Sequence, residues 1–227
     1  MKRSEINNAL KWAHNLLEKH MIKLPEFGYW TVEEWKKKSE FTSVIREVML
    51  GWDITDYGMD NFDNFGAILF TLRNGSLKDA SMGTPYAEKL ILLKDGQRLP
   101  NHYHASKTED IINKGGGVMA IKLFNSLVDG TVDLESNVVV DMDGIRQTFK
   151  AGEEVNIYPG QSITLRPFIY HLFWAKEGAG DLVLGEVSSI NDDHTDNYNA
   201  EDVMRFSAVD EDELIIHPLC NEYGRVL

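Results

Sequence analysis

The sequence has little cysteine and few basic residues, and each shortage excludes a class of protein. Among 227 residues there is one cysteine, Cys220, so no disulfide can form within the chain, which is typical of a reducing compartment. Lys and Arg number 23 against 36 Asp and Glu, and the net charge is -13. Because this charge repels phosphate backbones and anionic lipid, we expect no nucleic-acid partner and no membrane partner.

Long apolar runs are also missing. No segment approaches the roughly 18–20 consecutive apolar residues of a transmembrane helix. The first residues read MKRSEINNALKWAH and place polar side chains where a secretory signal would need an apolar core. Together with the single cysteine, this predicts a cytoplasmic protein.

Helical spacing is confined to the first part of the chain. Four apolar residues recur at helical intervals, with Ser4 as the expected N-cap: Ile6, Leu10, Ala13 and Leu17. Thr31 and Glu34 form a capping-box pattern ahead of Trp35. We therefore predict that residues 1–50 form a helical arm that does not fold alone and that covers a sheet edge or a partner subunit.

From Gly66 onward the pattern is that of a β protein. Short apolar runs such as AILFTL and AEKLILL are separated by turn dipeptides at 74–75, 95–96, 129–130 and 143–144, each Asn-Gly or Asp-Gly. Short strands with frequent turns favour an all-β antiparallel sandwich or barrel. We predict one such domain over residues 51–227.

The most informative motif runs from Gly96 to Gly117 and reads GQRLPNHYHASKTEDIINKGGG. On a strand, His102 and His104 point to the same face, because side chains alternate with a period of two. Two imidazoles with a nearby carboxylate, Glu109, are half of a divalent metal site. The spacing G-x5-H-x-H-x4-E-x5-G resembles the first motif of the cupin superfamily, whose fold is a double-stranded β-helix, or jelly roll.

The cupin resemblance implies a fourth ligand from a later strand, and His171 is the best placed. The family's second motif is P-x-G-x2-H, whereas here Pro159-Gly160 is followed by ten residues before His171, so the loop departs from the pattern. The alternative is a hydrogen-bonded core histidine. Imidazole and carboxylate ligands without a thiolate suit Mn²⁺, Fe²⁺, Co²⁺, Ni²⁺ or Zn²⁺. The other histidines, His14, His20, His194 and His217, are interpreted as surface or packing residues.

Most of the chain resembles one cupin family, the D-lyxose isomerases. The resemblance is carried by KRSEIN at the start, LPNHYHASKTEDII, GEVSSINDDHTDN and LCNEY near the end. It implies a cytoplasmic homodimer that uses a divalent metal, typically Mn²⁺. The implied reaction on free sugars interconverts D-lyxose with D-xylulose and, less efficiently, D-mannose with D-fructose.

Such an isomerisation needs a base that moves a proton between C2 and C1. Glu186 is our first candidate, because its apolar neighbours suggest a cavity in which desolvation raises a carboxyl pKa toward a useful range. Lys107 is the candidate for contact with the sugar oxygens. The alternatives are a salt-bridged glutamate and a solvated loop lysine. Weaker candidates for hydroxyl binding are Asp196, Asn197 and Arg205, and Asn191-Asp192-Asp193 is either part of that site or only a turn.

Three other functions use the same residues differently. An Fe²⁺ or Mn²⁺ redox cupin, such as a dioxygenase or oxalate enzyme, would need the same four ligands. A sugar-binding cupin would bind without turnover. A phosphosugar isomerase would need a phosphate pocket, for which Lys114 with Gly115–Gly117 is the candidate, although the acidic net charge counts against it.

Overall fold

The body of the protein is a pair of curled antiparallel β-sheets. A computed structural model describes residues 1–192 and 195–227. The strands are β1 (Gly51–Thr55), β2 (Ala67–Gly75), β3 (Gly83–Leu93), β4 (His102–His104), β5 (Glu109–Gly116), β6 (Met119–Ser126), β7 (Val132–Asp133), β8 (Val138–Met142), β9 (Ile145–Phe149), β10 (Glu154–Ile157), β11 (Ser162–Leu165), β12 (Ile169–Ala175), β13 (Leu182–Ser188) and β14 (Asn197–Asn199). One sheet has the order β1-β2-β3-β13-β5-β11-β8-β9, and the other has the order β10-β6-β12-β4-β14 with β7 beside β6. This is a cupin-like β fold, as the sequence predicts.

The space between the sheets is an apolar core that changes character at one end. Along β5, buried side chains alternate with less buried ones, so Glu109 and Ile111 project inward from the same face. Ile111 belongs to the core together with Leu69, Ile91 and Phe173. Glu109 occupies the last inward position of the row, where the core gives way to polar side chains.

The helices are α1 (Arg3–Lys19), α2 (Val32–Lys38), α3 (Ser43–Glu47) and α4 (Tyr223–Val226), with short 3-10 turns at Glu26–Gly28 and Ser39–Phe41. The predicted capping box is confirmed, because Thr31 Oγ1 accepts a hydrogen bond from the Glu34 amide and Glu34 Oε2 accepts one from the Thr31 amide. The predicted N-cap is wrong: α1 begins at Arg3, and Ser4 Oγ instead donates to Asp212 Oδ2. None of the helices in the described residues is long and apolar enough to cross a lipid bilayer.

Helix α1 lies on the outer face of the larger sheet. Its buried side chains, which include Leu10 and Leu17, share a core cluster with Trp52, Phe70 and Leu92 of β1, β2 and β3. Burial of each large aliphatic side chain contributes about 1.5–3 kcal/mol. The helix therefore covers a face of its own sheet, and the expectation that the arm over residues 1–50 covers a sheet edge or a partner subunit stays a prediction.

A buried arginine joins the two ends of the chain. Arg3 is fully buried, and its Nε and Nη2 each donate to a carboxylate oxygen of Glu211 at 2.8 Å. Its guanidinium also donates to Glu222, which in turn accepts a hydrogen bond from the Leu219 amide at 2.9 Å. The hydrogen bond from Arg3 lowers the pKa of Glu211 to about 2. This ion-pair network, which we call the terminal clasp, fixes α1 against the last part of the chain.

Candidate active site

Three histidine side chains meet where β4 pairs with β12. Strand alternation puts His102 and His104 on one face of β4, while Tyr103 points away. His171 is the residue of β12 that lies opposite His102 in the pairing. One ring nitrogen from each of the three histidines lies within 4.8 Å of the others, so the residues predicted from the sequence do come together.

Hydrogen bonds at Nδ1 determine which nitrogen of each ring carries the hydrogen. The three Nδ1 atoms lie 3.0–3.1 Å from backbone carbonyl oxygens, those of Pro100, Asp196 and Ile169 for His102, His104 and His171 respectively. Because a carbonyl oxygen can only accept, each Nδ1 carries a hydrogen. In the neutral form of such a ring Nε2 presents the lone pair, which is the arrangement that metal-binding histidines adopt.

The Nε2 lone pairs converge with a carboxylate oxygen. His171 Nε2 is 3.1 Å from His102 Nε2 and 3.2 Å from Glu109 Oε1. His104 Nε2 is 3.5 Å from the same oxygen, is buried, and has no hydrogen-bond partner among the described residues. Four acceptors that face one another repel unless a cation lies among them. The residues therefore fit a divalent metal ion, and a donor set of imidazoles and a carboxylate suits Mn²⁺, Fe²⁺, Co²⁺, Ni²⁺ or Zn²⁺.

The surroundings keep two of these imidazoles neutral. Burial, together with the adjacent His171 and His104, lowers the pKa of His102 well below its usual value. Burial and the Lys107 ammonium lower the pKa of His104. A metal ion binds the neutral ring and competes with protons for it, so these shifts favour metal binding at neutral pH.

Lys107 lies between two buried carboxylates. Its Nζ is 2.7 Å from Glu109 Oε2 and 2.9 Å from Glu186 Oε1, and only 3% of its side chain is exposed. Burial would lower the pKa of Lys107, but Glu109 and Glu186 outweigh burial and raise it. Burial would likewise raise the pKa of Glu109, but Lys107 and His104 hold it well below its usual range. The lysine is therefore a buried cation and not a solvated loop residue.

Glu186 faces the same cavity from β13, with 5% of its side chain exposed. Burial would raise its pKa, as the sequence predicts, but Lys107 and then Lys89 outweigh burial and lower it. The expectation of a raised pKa is therefore wrong. Lys89 Nζ lies 3.3 Å from Glu186 Oε1, the oxygen that Lys107 also contacts. The carboxyl group is an anion at neutral pH, and it is both salt-bridged and directed into the cavity.

The three weaker candidates divide into two groups. Asn197 and Arg205 line the cavity. Asp196 does not: its carboxylate accepts hydrogen bonds from the Ser106 amide and hydroxyl, both at 2.8 Å, and from the Lys107 amide at 3.0 Å. Its side chain therefore holds the loop between β4 and β5 and positions Lys107, in place of the sugar contact we expected. Two neighbours, Asp193 and His194, lie outside the described residues.

Sequence reasoning missed Lys89. Lys89 Nζ donates to Asn191 Oδ1 at 2.6 Å, and Lys107 Nζ lies 3.4 Å from the same oxygen. Lys89 stands directly opposite Glu186 in the β3–β13 register. The available signal was a lysine inside the apolar run AEKLILL, two residues before the core residue Ile91 and so on the same face of the strand. Asn191, which the sequence left as either part of the site or part of a turn, lines the cavity.

Most of these residues, but not His171 or Asp196, line a cavity of about 150 Å³ between the sheets. A second cavity of about 180 Å³ adjoins it, and four residues line both: Leu69, Lys89, Asn191 and Arg205. The glycine run considered for phosphate binding begins at Gly115, six residues along β5 from Glu109 and so about 20 Å away. Neither Lys114 nor the glycine run belongs to either cavity.

Comparisons of the whole sequence point to one family. A protein-family model described as D-lyxose isomerase matches residues 1–223. A D-lyxose/D-mannose isomerase of Escherichia coli O157:H7 is 42% identical over 226 residues, which cover 98% of each chain. A D-lyxose/D-mannose isomerase of Serratia proteamaculans is 40% identical over 230 residues, which cover all of both chains.

Comparison of the structure finds a more distant group of the same fold. The L-ribose isomerase of Acinetobacter sp. DL28, solved in complex with L-ribose, aligns with a TM-score of 0.59 at 16% identity. The L-ribose isomerase of Cellulomonas parahominis, solved with L-ribose, aligns with a TM-score of 0.57 at 14% identity. Each alignment covers 92% of this chain and 98% of the other. At such identities the likeness concerns the fold.

Proposed function

The chain belongs to the D-lyxose isomerase family and is a sugar isomerase, and from this premise we propose its substrates and mechanism. The proposed reaction interconverts D-lyxose with D-xylulose, and D-mannose with D-fructose, in a metal-dependent way. One observation carries the proposal: a buried carboxylate, Glu186, lies in the same cavity as a histidine–glutamate cluster and is linked to it by Lys107.

In this proposal His102, His104, Glu109 and His171 hold the divalent ion. When bound, the ion supplies electrophilic stabilisation of the negative charge that develops on the sugar oxygens. The convergent Nε2 lone pairs and the Glu109 oxygen support this ligand set. Co²⁺, Ni²⁺, Fe²⁺ and Zn²⁺ suit the same donors as Mn²⁺. We therefore propose Mn²⁺ as the native metal on the basis of the family resemblance.

Glu186 is proposed as the base. Its carboxylate takes the proton from C2 of the aldose while a C1–C2 double bond forms, and Lys107 donates a proton to O1 to give a cis-enediol. Glu186 then returns the proton to C1, the O2 hydroxyl gives its proton back to Lys107, and the ketose carbonyl forms at C2. Glu186 is ionised before the sugar binds, because Lys107 and Lys89 lower its pKa against the effect of burial, and a base must be unprotonated to accept the C2 proton.

Lys107 is proposed to serve the sugar oxygens. Its ammonium carries three donors, of which Glu109 and Glu186 accept two, while Asn191 Oδ1 lies farther away at 3.4 Å. The third donor can turn from Asn191 to a substrate oxygen at the same end of the cavity. Asp196 supports this position by accepting a hydrogen bond from the Lys107 amide. Asn197 and Arg205 line the cavity and are proposed to bind the remaining hydroxyl groups.

The decisive test uses metal-free protein reloaded with single metals. Free pentoses and hexoses are incubated with each preparation, and ketose formation is measured. We expect no turnover after chelation and the highest turnover with Mn²⁺. A redox cupin would instead require O₂, so equal rates with and without O₂ argue against it. Sugar binding without ketose formation by any metal-loaded preparation would contradict the proposed reaction.

We also propose an assembly state and a cellular location for the protein. The family resemblance implies a homodimer, and sedimentation at micromolar concentration should show one. A clean monomer would contradict it. A cytoplasmic location is in keeping with the single cysteine, Cys220, whose side chain is buried. Cell fractionation would test that location directly.

A further inference from the structure

The second cavity contains a buried carboxylate oxygen without a donor. Asp53 lines this cavity from β1 and is 3% exposed. Its Oδ2 accepts a hydrogen bond from Arg205 Nη2 at 2.6 Å, whereas its Oδ1 is buried and has no hydrogen-bond partner among the described residues. Leaving a buried charged acceptor unsatisfied is unfavourable, so a ligand group that donates a hydrogen bond fits there.

The charge at this point favours a neutral donor. Arg205 already neutralises Asp53 through the 2.6 Å contact, so a cationic ligand is not needed to compensate the carboxylate. A hydroxyl group supplies one donor without adding charge. Other walls of this cavity combine neutral polar side chains, Thr71 and Asn74, with the apolar side chain of Leu69.

The position of Asp53 determines which hydroxyl reaches it. Glu186 and Lys89 stand opposite each other on β13 and β3, and β1 is two strands beyond β3 in the same sheet. Asp53 therefore lies on the far side of Lys89 from the proposed base. A sugar whose carbonyl end lies beside Glu186 extends past Lys89 with its last carbon, because Glu186 lines the first cavity, Asp53 lines the second, and Lys89 lines both.

We propose that the second cavity is a subsite for the hydroxymethyl end of an aldohexose, and that Asp53 Oδ1 accepts the hydrogen bond of its O6 hydroxyl. A pentose ends one carbon earlier and makes no use of this acceptor. The inference rests on the proposed isomerase reaction and extends it, because it names the residue that distinguishes six-carbon from five-carbon substrates.

The test combines a substrate change with a protein change. Wild type, Asp53→Asn and Glu47→Gln are assayed with D-mannose, 6-deoxy-D-mannose and D-lyxose. Glu47 is an exposed carboxylate lining the same cavity, so its variant is the matched control. With wild type we expect kcat/KM for 6-deoxy-D-mannose to be about tenfold below that for D-mannose, the order expected for one lost hydrogen bond.

In Asp53→Asn the tenfold difference between the two hexoses should shrink to about twofold, while D-lyxose should lose far less than D-mannose. Glu47→Gln should keep the wild-type difference. A wild type that does not distinguish the two hexoses would overturn the proposal without any variant, since water would then satisfy Asp53. An equal loss for lyxose and mannose in Asp53→Asn would also overturn it.

A binding measurement separates this proposal from the isomerase reaction. Calorimetric titration of the three proteins with D-mannonate and its 6-deoxy analogue reports on the subsite without turnover, because neither acid has an aldehyde to isomerise. If no sugar is isomerised but wild type binds D-mannonate about tenfold more tightly than the analogue, and Asp53→Asn does not, the subsite stands and the proposed reaction fails. If wild type does not distinguish the two acids, the subsite fails whatever the turnover.

Discussion

Replacing Glu186 by glutamine separates proton transfer from metal binding. Glutamine has the shape of glutamate but is a far weaker base, and loss of a positioned general base lowers kcat by about 10²–10⁴. That range corresponds to about 3–5.5 kcal/mol in the activation free energy. We expect this loss with D-lyxose, together with loss of exchange between the C2 proton and solvent.

The structure indicates that the variant will fold and keep its metal. Glutamine retains an acceptor oxygen, and the two lysines keep other partners, Glu109 for Lys107 and Asn191 for Lys89. We therefore expect the free energy of unfolding to fall by about 1–3 kcal/mol, the range for a weakened buried hydrogen bond. Metal content should not change, because the ligand set proposed here does not include residue 186.

Four measurements test this reasoning: ketose formation, deuterium incorporation at C2 in D₂O, metal content by mass spectrometry and denaturant unfolding. The control is Glu154→Gln, which removes an exposed partner of Lys176 and should leave turnover unchanged and stability within about 0.5 kcal/mol. Wild-type turnover in the Glu186 variant would eliminate this residue as the base. Loss of metal would make it a ligand and refute the proposed set.

Three further predictions concern the metal, the helix and pH. His171→Ala should lower metal content at least tenfold by mass spectrometry, because one of four proposed ligands is lost; retention of stoichiometric metal would contradict the site. Leu10→Ala should lower the free energy of unfolding by about 2–5 kcal/mol, since the side chain is buried between α1 and the sheet. Urea unfolding measures this loss, and a value below about 2 kcal/mol would show that α1 packs loosely. Burial and the adjacent His217 lower the pKa of His14 to about 4. As pH falls, His14 is therefore protonated in the unfolded chain before it is protonated in the folded protein, and stability should fall between about pH 6.5 and 4. Glu211, whose pKa is about 2, stabilises the fold above about pH 4.5 and that contribution should be lost as pH falls toward 2; unfolding curves that do not change over pH 2–6.5 would refute both assignments.

The sequence predicted the features that depend on short intervals along the chain. Alternation within His102–His104 placed both rings on one face, and the Thr31–Glu34 pattern marked the start of α2 correctly. The amphipathic pattern of α1 showed that one face would be buried. It could not show which surface receives that face, because any apolar surface satisfies the same pattern.

The features that depend on distant strands were beyond such reasoning. Lys107 and Lys89 outweigh burial and keep Glu186 ionised, and Lys89 reaches it only through the β3–β13 pairing across almost a hundred residues. Asp196 was expected to contact sugar, but its carboxylate is used by the amides of the loop before β5. Neither fact has a local signature, because each depends on side-chain partners from another part of the chain. The division at residue 50 stays a prediction.

The terminal clasp has a consequence for how the protein is made. Arg3 and Glu222 are 219 positions apart, and ribosomes add about 5–20 residues per second. Helix α1 leaves the ribosome early and waits about 10–40 s at that rate for the carboxylates that bind its arginine. During this interval its apolar face has no completed sheet to cover, since β13 is also made late. Chaperone dependence of the nascent chain should therefore be greatest before the last strands emerge.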